Sequence, residues 1–142
     1  MMARALGIDH GDARIGLAVS DELGMLAHPL ETIHLREMAD PIARIVEIVG
    51  RDKIGQIVLG LPRNMDGTYG PASEKVRAFA EQLKAATPCP VKLWDERLTS
   101  VAAQRSLHEA GRTVKNSREV IDQVAAQMIL QGWLDAQAMI QP

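Results

Sequence analysis

Alternating apolar and polar positions near the start of the chain predict a β-hairpin. Residues 5–9 and 14–20 each alternate with a period of two, which places successive side chains on opposite faces of a sheet. The four residues between them, His-Gly-Asp-Ala, are typical of a turn. A third strand is predicted over about 25–34, broken near Pro29. Together these segments predict an antiparallel three-strand meander.

Further along, helical and strand patterns alternate. Asp40 and Pro41 have the N-cap and first-turn residue types of a helix, and apolar residues then recur at helical spacing. A continuous apolar run at 56–61 is typical of a strand covered on both faces, lying centrally and parallel to a neighbour. A second helix is predicted to begin at Pro71, and a short strand is predicted at 91–94.

Two more helices complete the pattern. One is predicted from Thr99, an N-cap residue type, to about Glu109. The longest runs from Arg118 to about Gln137, and its wide apolar face comprises Val120, Ile121, Val124, Ala125, Met128, Ile129 and Trp133. The order of elements predicts a single α/β domain over residues 1–142. Its mixed five-stranded sheet joins the antiparallel meander to two parallel strands and is flanked by about four helices.

Composition limits the kind of core and the kind of site. Hydrophobic residues at 46% and charged residues at 24% are ordinary values for a globular domain and exclude disorder. Aromatic residues make up only 3%, which disfavours a base-stacking platform. Cys89 is the single cysteine, so a disulfide or cysteine metal cluster is not expected and a cytoplasmic location fits. Because no segment approaches the roughly 18 apolar residues of a membrane span, no membrane association is expected.

The charge of the chain is unevenly distributed. The net charge of -2 does not by itself indicate a nucleic-acid-binding protein. From 97 to 118, however, five basic residues accompany Glu109 alone, a local net charge of +4. Most of the basic residues in the chain are arginine, whose planar guanidinium suits phosphate. This stretch is therefore either a solvated helix face or a phosphate-binding surface, whose candidate contacts are Arg97, Arg105, Arg112, Lys115 and Arg118.

Three acidic positions are poorly explained by packing. Asp9 ends an apolar strand beside Gly11, which allows close approach to the backbone. Asp95 and Glu96 end the last predicted strand, where ligands bind in parallel sheets, and alternation allows only one of them to join a site. Asp122 lies among small apolar residues of the longest helix. Structural alternatives remain open, because Asp9 could cap a turn and Asp122 could interact with its helix N-terminus.

Taken together, the acids indicate metal chemistry. Carboxylates from separate elements supply the hard oxygen ligands that Mg²⁺ or Mn²⁺ prefers. Two such ions roughly 3.5 to 4 Å apart can activate a water and stabilise the leaving oxygen of a phosphodiester, so hydrolysis is the predicted reaction. Arg14, in the first turn motif, and Arg63, in a Pro- and Gly-rich loop, are further candidates for phosphate contact. That loop lacks Gly-Lys-Ser/Thr and is not a P-loop.

Four blocks of the chain, three of which contain these acids, resemble the YqgF family, the Holliday-junction-resolvase-like proteins proposed to be nucleases of precursor 16S ribosomal RNA. The matching blocks cover residues 7–21, 60–67, 95–99 and 122–134, in the family's order and spacing. The resemblance implies a ribonuclease-H-like fold in which Asp9, Glu96 and Asp122 are the catalytic and metal-binding acids. It also selects Glu96 over its neighbour Asp95.

The resemblance implies a hydrolase of phosphodiester bonds that matures the 5′ end of pre-16S rRNA in ribosome biogenesis. Its expected partners are structured RNA and ribosomal precursor particles, and the expected state is a monomer or weak homodimer. One alternative is a Holliday junction resolvase acting on branched DNA in recombination and repair. Another is a non-catalytic nucleic-acid- or ribosome-associated binding protein. The first motif also resembles the phosphate loop of actin-like ATPases and sugar kinases, but those need two such domains and 142 residues supply one.

Overall fold

One mixed sheet organises the chain. A computed structural model describes residues 3–62, 66–96 and 117–140. Its elements are β1 (Arg4–His10), β2 (Arg14–Ser20), β3 (Ala27–His34), α1 (Pro41–Arg51), β4 (Ile54–Leu61), α2 (Pro71–Ala86), β5 (Val91–Asp95) and α3 (Ser117–Ile140). The strand order is β3-β2-β1-β4-β5, with β1, β2 and β3 antiparallel to their neighbours in the meander and β4 parallel to both β1 and β5. The predicted five-stranded mixed sheet is confirmed, while the helix predicted over 99–109 lies outside the described residues.

Local signals set the beginnings of the helices. The side chain of Asp40 accepts a hydrogen bond from the backbone N–H of Ala43 at 3.1 Å, so it caps α1 as its residue type predicts. Pro41 and Pro71 are the first residues of α1 and α2, where a missing N–H costs nothing. Within the described ranges, no helix combines the length and apolar character needed to cross a membrane.

The break predicted near Pro29 is wrong. β3 runs continuously through this residue, and its pairing with β2 shifts there instead: Leu17 lies opposite Glu31, whereas Ala18 lies opposite Pro29. A bulge of this kind absorbs one extra residue without ending the strand. β3 is also an edge strand, where the N–H that proline lacks is not needed for pairing on the outer side.

The two faces of the sheet are packed with side chains of different size. On one face, large aliphatic residues of the strands meet α1 and α2, among them Leu6, Ile8, Ile57 and Leu59. On the other face, α3 packs mainly on small residues of the strands, namely Ala5, Ala18, Ala27 and Val58. Small residues permit the close approach of a helix to a sheet, so α3 lies nearer the strand backbones than a large-residue interface would allow.

The close approach also determines which side of α3 is buried. A Cβ atom added to Gly7 would lie 2.7 Å from Cβ of Leu130, and one added to Gly16 would overlap the backbone oxygen of Asp122. The predicted buried face is therefore partly wrong, because Val120 is 52% exposed. The residues that are buried on α3 are Ala125, Ala126, Ile129, Leu130 and Leu134.

Candidate active site

Parallel pairing brings the carboxyl ends of three strands together, and this end of the sheet is called its edge in describing the acids. β1, β4 and β5 run in the same direction, so Asp9 near the end of β1 and Asp95 at the end of β5 lie at this edge. Gly7 lies under α3, and because side chains alternate along a strand, Asp9 projects towards the same face. Asp9 is 5% exposed, which places a carboxylate in the layer between sheet and helix.

Glu96 lies on the same face as Asp9. A Cβ atom added to Gly60 of β4 would lie 3.1 Å from Oε1 of Glu96, so this carboxylate occupies space that the glycine leaves open. Within β5, Trp94 packs with the cluster under α3, whereas Leu93 packs with the cluster on the opposite face. Asp95 follows the direction of Leu93 by alternation. The structure therefore separates the two neighbouring acids as the sequence predicts.

Asp122 reaches this edge from α3. Its backbone oxygen lies directly over Gly16, and Gly16 pairs with Asp9 across β1 and β2. The fold thus brings Asp9, Glu96 and Asp122 to one face and one edge of the sheet. Over the described ranges, however, no three His, Cys, Asp or Glu side chains are arranged as a ready-made metal-binding group. Their assignment as metal ligands stays a prediction.

Arg14 forms an ion pair with Asp122, the third of these acids. Its Nε donates a hydrogen bond to Oδ2 of Asp122 at 2.6 Å, and the two side chains are only 28% and 14% exposed. A short, charge-assisted hydrogen bond in a partly buried position is among the stronger polar contacts in proteins. The sequence interpretation placed Arg14 among the phosphate contacts, but in this structure its guanidinium is engaged by the third acid.

A row of glutamines on α3, which the sequence interpretation missed, holds the helix over β3. Gln123 donates to Oγ1 of Thr32 at 3.1 Å, and Gln127 donates to the carbonyl of Ala27 at 2.9 Å. Gln131 accepts from the N–H of Ala27 at 2.8 Å. These contacts set the position of the helix along its axis, and therefore the position of the acid that it carries. The recurrence of glutamine at every fourth position, which places these side chains on one side of the helix, was the available signal.

The predicted phosphate contacts are only partly placed. Arg118 belongs to the beginning of α3. The others lie outside the described residues: Arg63, Arg97, Arg105, Arg112 and Lys115. Their role in binding stays a prediction from charge and residue type.

The opposite face of the β1 end carries a second group of polar side chains. His10 directs its ring towards α2, with a centroid 4.6 Å from that of Phe79. Burial lowers the pKa of His10, and the nearby Lys75 acts in the same direction while Asp12 opposes it. Nζ of Lys75 lies 2.9 Å from Oδ1 of Asp12. The turn thus separates the acidic residues on one face from a group that contains His10, Phe79 and the Asp12–Lys75 ion pair on the other.

The chemistry of the acidic site fits a divalent cation. Its donor set consists of carboxylates, the hard oxygen ligands that Mg²⁺ and Mn²⁺ select. Gly16 and Gly60 leave space at the positions where Asp122 and Glu96 lie against the sheet. In the form described, the guanidinium of Arg14 supplies positive charge to one of the three acids.

We expect Arg14 and Asp122 to be energetically coupled. Replacing Asp122 with Asn leaves a partly buried guanidinium with a weaker acceptor, so the free energy of unfolding should fall by about 1–2 kcal/mol. Arg14→Gln should cost a similar amount, and the double variant should lose less than the sum. Urea denaturation of the four proteins without divalent metal measures this. If Asp122 serves only the helix dipole, its loss should be about 0.3–1 kcal/mol and should add to that of Arg14→Gln.

Sequence comparison connects this architecture with known proteins. A family model described as "RuvX: Holliday junction resolvase" matches residues 3–136. A protein of Ruegeria sp. (strain TM1040) is 49% identical over 134 residues, which cover 94% of this chain and 85% of that protein. One of Moorella thermoacetica is 51% identical over 132 residues, covering 93% and 94% of the two chains. Both carry the name "Putative pre-16S rRNA nuclease".

Comparison with solved structures identifies the fold as RuvC-like and ribonuclease-H-like, as the family resemblance implies. RuvC of T. thermophilus in complex with a Holliday junction substrate superposes with a TM-score of 0.61 at 16% identity, with 97% of each chain covered. The yeast mitochondrial Holliday junction resolvase superposes with a TM-score of 0.54 at 15% identity, covering 97% of this chain and 80% of that one. At these identities the likeness concerns the fold alone.

Proposed function

Because the chain belongs to the RuvX (YqgF) family, we propose that it is a metal-dependent nuclease that processes precursor 16S ribosomal RNA in the cytoplasm. The observation that supports this proposal is that Asp9, Glu96 and Asp122 come from three separate elements and lie on the same face of the sheet, at the carboxyl ends of its parallel strands. Family membership supplies the class of reaction, and we propose that these acids are its site.

We propose that these three carboxylates hold one or two Mg²⁺ or Mn²⁺ ions. When bound, the cation supplies an activated water and stabilises the leaving oxygen of the phosphodiester. Asp9 is fixed by its place within β1 and is shielded from bulk water. Arg14 neutralises Asp122 before the site is filled, and its guanidinium is then available to a phosphate oxygen of the substrate.

A cleavage assay in Mg²⁺ or Mn²⁺ tests the proposal. A precursor 16S rRNA fragment and a four-way DNA junction are compared as substrates, with the Asp9→Asn protein purified in parallel to exclude a contaminating nuclease. Metal-dependent cleavage of the RNA is expected. Cleavage of the junction instead would make the chain a resolvase, the activity that the family description names. Binding of either substrate without cleavage would favour a non-catalytic binding protein.

The basic stretch between two of the acids is proposed to hold the phosphate backbone. RNA binding should weaken with salt, and replacing Arg105, Arg112 or Lys115 with Ala should reduce the slope of that dependence by about one unit for each residue that contacts phosphate. Binding titrations at several salt concentrations measure the slope.

Lys84→Ala is the matched control for these titrations. Lys84 lies in the last turn of α2, just before β5 begins. It is therefore near the amino ends of the parallel strands, whereas the acids lie at their carboxyl ends. Its ammonium pairs with Glu81 at 3.5 Å. Its removal should leave the slope unchanged. Unchanged slopes in all three test variants would assign the stretch from Arg97 to Arg118 to a solvated surface.

A further inference from the structure

A cavity of about 410 Å³ lies beneath the turn between β1 and β2, on the face of the sheet opposite to the acids. Its lining includes His10 from the end of β1, Asp12 from the turn, and Lys75, Phe79 and Gln82 from α2. The volume is within the range of sites that hold small organic groups, roughly 300–1,000 Å³. The proposed cleavage reaction does not use this cavity.

The position of the cavity links it to the acidic site. His10 follows Asp9 directly in β1, and consecutive side chains of a strand project to opposite faces. One therefore lines the cavity while the other contributes to the acidic site, with only one peptide unit between them. A nucleic-acid strand that crosses this edge of the sheet can place a phosphate at the acids and an adjacent base at the cavity.

The charges in the cavity favour a neutral ligand over an anion. Lys75 and Asp12 lie at its exposed rim and pair at 2.9 Å, so each of these charges has an opposite charge beside it. The ring of His10 lies against Phe79 with centroids 4.6 Å apart, so part of the wall is aromatic. The imidazole and the amide of Gln82 can each donate and accept hydrogen bonds. A flat, uncharged heteroaromatic ring with polar edges matches these properties, and a nucleobase is such a ring.

We propose that this cavity binds an unstacked base of the substrate strand, beside the nucleotide whose phosphodiester is cleaved. The proposal rests on the proposed nuclease function. The low aromatic content of the chain argues against an extended stacking platform, but a single base needs only one aromatic wall. Phe79 is only 6% exposed and packs against the ring of His10 from the core side, so the aromatic surface that a base would meet is the half-buried imidazole of His10.

Filling the cavity provides a test that leaves the core intact. Phe79 is only 6% exposed, so its removal risks unfolding, whereas Ala78 lines the cavity from the exposed side of α2. Ala78→Trp should occupy the space of the base. Ala85→Trp makes the same change at an exposed position of the same helix outside the cavity lining and serves as the matched control. Thermal melts establish that both variants fold.

The measurement is the affinity for a series of oligoribonucleotides, each lacking the base at one position. Ca²⁺ replaces Mg²⁺ to prevent hydrolysis. For the parent protein and Ala85→Trp, removing the base at one position should weaken binding about 5- to 100-fold, the range for a stacked base. The Ala78→Trp protein should bind the intact strand more weakly than the parent does, by the same factor. Removing the base should then not weaken its binding further. A 4-thiouridine at the same position should crosslink to α2 or to the β1–β2 turn.

The outcomes separate this proposal from the nuclease function. Tight binding with no position-specific loss, or an Ala78→Trp protein that behaves like the parent, overturns the base site and leaves the nuclease proposal standing. Absence of any RNA binding by the parent overturns both. Binding of free adenosine or uridine in the cavity can be detected by a shift of the His10 imidazole resonances. If a nucleoside binds there but no abasic position weakens RNA binding, the cavity serves a free nucleoside and its assignment to the substrate strand is wrong.

Discussion

Asp9→Asn and Glu96→Gln are each expected to lower the rate of metal-dependent cleavage by about 10³-fold or more, because the charge stabilisation that a bound cation supplies is worth several kcal/mol. Both changes keep the size of the side chain and remove one negative charge from the face where α3 meets the sheet. Asp122→Asn is expected to have an effect of the same order. Single-turnover cleavage of the RNA substrate measures the chemical step separately from product release.

Asp95→Asn is the matched control for these acids. Asp95 is adjacent to Glu96 and has the same chemistry as Asp9, but it projects to the opposite face of the sheet. Its replacement should change the rate only mildly. Double variants of the three site acids should lose little more than the single variants, because residues that act as a unit are not additive. Full activity in any of the three single variants would remove that residue from the site.

Gly16→Ala is expected to reduce the free energy of unfolding by at least about 3 kcal/mol, a value at the upper end of overpacking effects. The added Cβ would overlap the backbone oxygen of Asp122, and a helix backbone cannot move aside as a flexible side chain can. α3 would have to shift away from the sheet, which would displace the third acid as well. Urea denaturation measures the loss of stability, and cleavage under conditions that keep the variant folded measures the displacement.

Gly50→Ala tests whether this effect depends on position. A Cβ atom at Gly50, in α1, would have no neighbour within 4 Å. The same substitution should therefore be neutral or raise stability by about 0.5–1 kcal/mol, since alanine is the better helix former. Equal stability of the two variants would contradict the close contact between α3 and β2.

The sequence alone was sufficient for most of the secondary structure. Alternation predicted β1 and β2, a continuous apolar run predicted β4, and the segments of β3 and β5 were also predicted as strands. N-terminal residue types such as Asp40 and Pro71 predicted where α1 and α2 begin. These signals depend on neighbours a few residues apart, which is the range over which side-chain alternation and capping act. The predicted interruption of β3 at Pro29 was wrong because an edge strand can accommodate a proline at a bulge. Whether a strand lies at the edge depends on the order of all the strands, which the local sequence does not give.

The candidate site was predictable in its chemistry but not in its contacts. Family resemblance chose Glu96 over Asp95, and the structure places the two on opposite faces. The partner of Asp122 could not be predicted, because Arg14 is 108 residues away in the chain. The buried face of α3 was partly wrong for a similar reason, since Val120 is 52% exposed and the helix contacts Gly7 and Gly16, which are distant from it in sequence.

Residue types and their spacing thus determined the strands, the helix starts and the kind of chemistry, because each is written in local order along the chain. Only the tertiary structure decided which acid faces which surface, that Arg14 neutralises Asp122, and that His10 and Phe79 form the wall of a cavity. Those outcomes depend on strand register and on how closely a helix can approach a sheet. Both result from packing between segments that are distant in sequence, and no local pattern carries that information.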